Sequence, residues 1–161
     1  VAEFRNAGLE VEVQSADVVR QPEGSRAVLV APVNNVIARL KGADPTKPAV
    51  ALMAHYDTVP YSYGAGDNGS GVAVVLQTAR MLAHGAKPKR DVIFILTDGE
   101  ELGLLGAEAF FSRHELAKRI GAVVNVEARG TGGRAVMFET SAQNGELVSL
   151  WARRDPSPTE K

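Results

Sequence analysis

A chain of 161 residues with 45% apolar side chains is long enough to bury one core, and its length favours a single domain over residues 1–161. Eighteen Lys and Arg against nineteen Asp and Glu leave a formal net charge of −1, and without a long basic block nucleic acid is excluded as a natural partner. The lack of cysteine rules out disulfides and thiolate metal sites, so any metal must be held by His and carboxylates.

No apolar run of about 18 residues is present, and no basic leader precedes an apolar stretch. The sequence therefore reads as soluble, with membrane attachment only through segments outside it. Val1 to Asn6 read as the end of a helix, and Arg153 to Lys161 trail into Pro-Ser-Pro, so both ends look like those of a fragment of a longer protein.

In chain order, Leu9 to Arg20 and Ala27 to Leu40 are β-rich and flank the turn-forming Gln21-Pro22-Glu23-Gly24-Ser25, which predicts an antiparallel pair. Ala49 to Ala54 is a short apolar run of the kind found in strands buried on both faces, and His55 stands at its end. A glycine-rich turn over Gly64 to Gly71 leads into Val72, Val75, Leu76, Ala79 and Leu82, whose spacing predicts a helix ending at Gly85. Val92 to Leu96 is a second buried-strand candidate. Leu102, Leu105, Ala109 and Phe110 mark another amphipathic helix, with Gly99-Glu100-Glu101 at the junction. Ala122 to Val126 is the next apolar run, ended by Glu127; Arg134 to Glu139 predicts a further strand and Glu146 to Arg153 a short helix.

Alternating strands and helices predict an α/β fold, a three-layer αβα sandwich around a largely parallel sheet made mixed by the initial hairpin, because crossover helices cover both faces of parallel strands. In such sheets the functional crevice lies outside the C-terminal strand ends. His55, Glu100, Glu101 and Glu127 fall there, and the Gly-Ala-Gly-Asp-Asn-Gly-Ser-Gly loop adds Asp67. Each has a plain structural reading: a Glu pair matches a helix dipole, an Asp before a helix is commonly an N-cap, and a His after a strand is commonly hydrogen-bonded structure. Gathered on one rim, the carboxylates repel one another and call for a cation. Imidazole with carboxylates and no sulfur suits zinc, with manganese or cobalt as substitutes, better than calcium.

His55-Tyr56-Asp57, Gly66-Asp67-Asn68-Gly69-Ser70-Gly71-Val72, Glu100-Glu101-Leu102-Gly103-Leu104-Leu105-Gly106-Ala107 and Asn125-Val126-Glu127 resemble, in order and spacing, the co-catalytic zinc aminopeptidases. That family includes bacterial leucyl aminopeptidases together with vacuolar aminopeptidase and membrane protease relatives, and the likeness covers about Leu29 to Leu150. The resemblance implies a zinc-exopeptidase-like fold and two Zn2+ ions in the complete site. It makes His55 and Glu127 ligands of the first ion, Asp67 the carboxylate bridging both, and Glu101 a ligand of the second. Glu100 becomes the general base acting on a metal-bridging hydroxide, and Asp57 the carboxylate that orients His55.

The family's second zinc also takes a final His from beyond Glu127. Here the other two histidines, His84 and His114, both precede it and read as surface residues, so one or no zinc is expected in this stretch, with little activity. The implied substrates are peptides or small proteins with a free N-terminus, in a secreted, periplasmic or membrane-attached setting. Two alternatives stay open: a glutaminyl-cyclase-like acyltransferase using one zinc, and a non-catalytic binding domain on the same fold.

Overall fold

The structure is a computed structural model that describes residues 1–130, 136–137 and 139–154. Two compact units divide the chain, Val1–Thr131 and Gly132–Lys161.

The first unit is built on five strands: β1 (Glu10–Arg20), β2 (Leu29–Leu40), β3 (Ala49–His55), β4 (Val92–Thr97) and β5 (Ile120–Asn125). They lie in the order β1-β2-β4-β3-β5. β1 and β2 form the expected antiparallel hairpin, in register from Glu10 opposite Arg39 to Arg20 opposite Leu29. β2 is antiparallel to β4, whereas β3 runs parallel to both β4 and β5. Parallel neighbours cannot be joined by a tight turn, and each link here carries a helix. Helix α2 (Gly71–His84) connects β3 to β4 and α3 (Leu105–Arg113) connects β4 to β5, after the short α1 (Ala2–Asn6) at the start of the chain.

Side chains alternate across a strand, which sorts the core into two layers. Phe94 and Leu96 of β4 join Ala38, Ala54, Phe4 of α1 and Val75 and Ala79 of α2 on one face. Ile93 and Ile95 join Ile37, Ala51, Met53 and Phe110 of α3 on the other. β4 is thus buried from both sides, which is why its sequence is a continuous apolar run. The result is a three-layer αβα sandwich with a mixed sheet.

At the end of the sheet where β3 and β4 begin, Asp91 is 1% exposed. Its carboxylate accepts hydrogen bonds from Arg39 at 2.6 and 3.0 Å and from the Gly42 amide at 2.9 Å, and it pairs with Arg119 at 3.1 Å. A buried carboxylate is tolerable only when satisfied in this way.

Helix α3 starts at Leu105 rather than near Leu102, because Gly103 (φ 97°) and Leu104 (φ 64°) lie in the left-handed region and turn the chain before helical hydrogen bonding begins. The strand expected over Arg134 to Glu139 falls partly on Arg134, Ala135 and Phe138, which lie outside the described residues. In the second unit, α4 (Gly145–Arg154) accounts for the expected C-terminal helix.

Candidate metal centre

β3, β4 and β5 run parallel, so their C-terminal ends meet on one rim of the sheet. His55 is the last residue of β3 and only 3% exposed. Glu100 and Glu101 sit in the turn between β4 and α3, and Glu127 follows the end of β5 by two residues. Asp67 comes from the irregular turn Ala65–Ser70, where its extended backbone (φ −108°, ψ 100°) interrupts the approach to α2.

The decisive geometry is around the imidazole. His55 Nδ1 lies 3.0 Å from the main-chain carbonyl oxygen of Asp57, an acceptor, so Nδ1 carries the proton and donates it. The other nitrogen, Nε2, faces Asp67 Oδ1 at 2.9 Å and Glu127 Oε1 at 3.4 Å. In neutral imidazole Nε2 then presents a lone pair to two carboxylate oxygens, a repulsive arrangement unless a proton or a metal cation stands between them. Burial pushes the His55 pKa down, but the charge of Glu127, the Asp57 carbonyl and the charge of Glu100 outweigh it and the net shift is upward. The site demands positive charge at Nε2.

Donor atoms within 4.8 Å of one another form two triads that share His55: His55, Asp67 and Glu127, and His55, Glu100 and Glu101. All five residues singled out as ligands or base therefore come together, although Asp67 and Glu101 do not share a triad. In the second triad Glu101 Oε1 is buried without a hydrogen-bond partner among the described residues, an orphaned acceptor that a cation would satisfy. Glu100 is pushed above the ordinary carboxylate range, chiefly by burial, with His55 opposing and Glu127 and Glu101 adding to the rise. Zinc fits this set of one imidazole and several carboxylates, which holds no sulfur.

Several residues that hold the site were not singled out from the sequence. Asn68, 1% exposed, donates from Nδ2 to the Val126 carbonyl at 2.8 Å and accepts from the Gly71 amide at 3.0 Å, tying the Asp67 turn both to β5 and to α2. Buried Asn35 accepts from the Asp98 amide at 3.1 Å and donates to the Gly106 carbonyl at 2.8 Å, so β2 braces both ends of the Glu100–Glu101 turn. Gly106 permits this closeness, since a Cβ there would lie 2.2 Å from the Asp98 carbonyl oxygen. The resemblance makes the Asp57 carboxylate the group that orients His55, whereas the Asp57 atom nearest Nδ1 is its main-chain carbonyl oxygen. Its carboxylate is 3.5 Å from Nδ1, farther than its own carbonyl, and accepts instead from the amides of Glu100 and Glu101. An Asn four residues before the apolar helix stripe that begins at Val72 was the one signal available in the sequence.

His84 is exposed in the last turn of α2, as expected. His114 is not a plain surface residue. Its ring stacks on Phe110 with centroids 5.0 Å apart, Nδ1 accepts from the Leu116 amide at 3.2 Å, and Nε2 lies 3.0 Å from Glu12, so it is half-buried structure on the α3 side.

The family model of peptidase family M28 matches residues 35–161. The chain belongs to peptidase family M28. Among its relatives in this family, a vacuolar membrane protease of Candida dubliniensis is 40% identical over 136 residues, which is 84% of this chain and 14% of that protein. The chain thus spans a small part of the curated relatives it matches. Among solved structures, a glutaminyl cyclase of Porphyromonas gingivalis superposes with a TM-score of 0.74 at 27% identity, covering 94% of this chain and 57% of that one. A zinc aminopeptidase from Bacillus subtilis superposes with a TM-score of 0.54 at 34% identity, covering 63% of this chain and 26% of that one. The three-layer sandwich of this M28 chain is therefore the zinc-exopeptidase fold. No described helix is long and apolar enough to cross a membrane.

Proposed function

We propose that this chain carries the metal-binding part of a zinc-dependent peptidase, an aminopeptidase that hydrolyses the first peptide bond of substrates with a free N-terminus. The observation that carries this reading is His55: Nδ1 is committed to the Asp57 carbonyl while Nε2 faces Asp67 and Glu127. His55, Asp67 and Glu127 would hold one zinc, and Glu101, with a buried oxygen that lacks a hydrogen-bond partner among the described residues, would contribute to a second. When bound, zinc supplies a Lewis acid that polarises the scissile carbonyl and makes water a stronger nucleophile at neutral pH.

The remaining work falls to this chain's own groups. Glu100, whose carboxyl burial pushes above the ordinary carboxylate range, takes a proton from the attacking water. As the C–N bond breaks, the same carboxyl returns that proton to the departing amine, leaving a new carboxylate and a free amine. Glu100 and the ligand Glu101 are adjacent in one turn, so base and metal keep a fixed separation. By analogy with the vacuolar membrane proteases among its relatives, we place the intact protein outside the cytosol, attached to a membrane by segments other than this one.

A second reading, a glutaminyl-cyclase-like acyltransferase using one zinc, is favoured by the extent of the likeness to the Porphyromonas gingivalis enzyme. The triad of His55, Asp67 and Glu127 would suffice for a single ion. One assay on the full-length protein separates the two: leucyl and N-acetyl-leucyl amide substrates beside a peptide with N-terminal glutamine. Release from the free but not the blocked leucyl substrate supports an aminopeptidase. Cyclisation of the glutaminyl peptide with loss of ammonia, without leucyl hydrolysis, replaces it with the second reading.

A further inference from the structure

We propose that Asp57 is a positioning residue that couples the two halves of the site, clamping the Glu100–Glu101 turn through its carboxylate while holding His55 through its main chain. This inference rests on the metallopeptidase reading for its consequence and on hydrogen-bond geometry for its mechanism. Asp57 Oδ1 accepts from the Glu100 amide at 3.0 Å and Oδ2 from the Glu101 amide at 3.1 Å. Its carbonyl oxygen accepts from His55 Nδ1 at 3.0 Å. One residue therefore fixes the last side chain of β3 and the Glu100–Glu101 pair in the turn after β4.

The division between side chain and main chain decides what a substitution does. The bond that sets the His55 tautomer uses a carbonyl that every residue possesses, so it survives replacement of the side chain. The two bonds to the turn use both carboxylate oxygens, and hydrogen bonds to a charged acceptor are stronger than neutral ones. With Asn at 57, one oxygen still accepts, but the side-chain amide nitrogen meets the second main-chain N–H as donor against donor, and that part-buried N–H loses its partner. The turn loosens, whereas the His55, Asp67 and Glu127 triad keeps all its supports. Glu101, the ligand whose buried oxygen lacks a partner among the described residues, is the group displaced. A carboxylate acting on the imidazole itself would give the opposite pattern, with the first triad weakened and the turn untouched.

The test is Asp57→Asn in the full-length protein, read in three ways. Amide hydrogen exchange without metal should show the Glu100 and Glu101 amides exchanging at least tenfold faster than in the unmodified protein, with the β4 amides unchanged. Cobalt titration, with the Glu101 equivalent identified as the one that Glu101→Ala abolishes, should show that equivalent losing about tenfold or more in affinity, the other staying within about threefold. Peptide turnover should fall in kcat with little change in KM. Unchanged exchange at Glu100 and Glu101, or selective loss of the cobalt equivalent that Glu101→Ala leaves in place, overturns the clamp. Should the variant fail to fold, exchange in the unmodified metal-free protein decides: protected Glu100 and Glu101 amides support the clamp, and unprotected ones overturn it. If the unmodified protein hydrolyses no peptide while exchange and cobalt behave as stated, the peptidase reading fails and the clamp stands.

Discussion

The Asn68 side-chain amide donates to the Val126 carbonyl at 2.8 Å, and this bond holds the sequence neighbours of both residues, Asp67 and Glu127, on either side of His55 Nε2. A loop and a strand end far apart in the chain are thereby fixed relative to each other before any ion arrives. Such preorganisation is what a metal site needs, because ligands that must be gathered on binding cost affinity.

Asn68→Ala is expected to destabilise the fold by about 2–6 kcal/mol, since it strips partners from two groups, the Val126 carbonyl and the Gly71 amide, at roughly 1–3 kcal/mol each. Urea unfolding should show the midpoint falling with the slope unchanged. Asn68→Asp should fare no better, because its second oxygen would face the Val126 carbonyl as acceptor against acceptor. A midpoint shift worth less than about 0.5 kcal/mol in either variant would remove Asn68 from the structural account.

Glu100→Gln should retain zinc while losing turnover by a factor on the order of 10² to 10⁴, the usual contribution of a positioned acid–base group. Gln preserves the size of the side chain and every ligand, and removes only the proton acceptor. Metal content measured beside kcat checks this, and near-normal kcat with zinc in place would show that the base lies elsewhere.

Acid stability should depend on Asp91. Burial pushes its pKa up, but the Gly42 amide and the Arg39 and Arg119 guanidinium groups outweigh that and hold it below the usual carboxylate value. Because the folded pKa is depressed, the stabilisation is fully present above the unfolded value of about 3.9 and is lost as pH falls through the folded value. Asp91→Asn should destabilise at pH 6 by about 3 kcal/mol, the cost of breaking a buried pair, and flatten the fall in stability below about pH 4. Parallel stability curves for variant and parent across that acid range would contradict it.

Much of this architecture is legible in the residues, and the limits have physical causes. Val92 to Leu96 announces a doubly buried strand because both faces of β4 are covered, and the rule that open α/β sheets work at their C-terminal strand ends collects His55, Glu100, Glu101 and Glu127. The supports are harder to read. The Asp57 bonds to Glu100 and Glu101 span 43 and 44 residues and the Asn68 bond to Val126 spans 58, so they depend on loop paths that no local pattern encodes. Helix α3 begins late because Leu104 adopts φ 64°, a conformation its residue type does not advertise. His114 reads as polar surface by its neighbours, yet it packs on Phe110 because both lie on the inward side of the helix end.

The central claim is that His55 Nε2 meets Asp67 and Glu127 in order to hold a cation. Anomalous diffraction at the zinc edge from crystals of the zinc-loaded full-length protein tests it most directly. The account predicts a peak about 2.0–2.2 Å from His55 Nε2 and from an oxygen of each of the two carboxylates. Zinc bound only elsewhere, or no peak at His55 at saturating zinc, would contradict it.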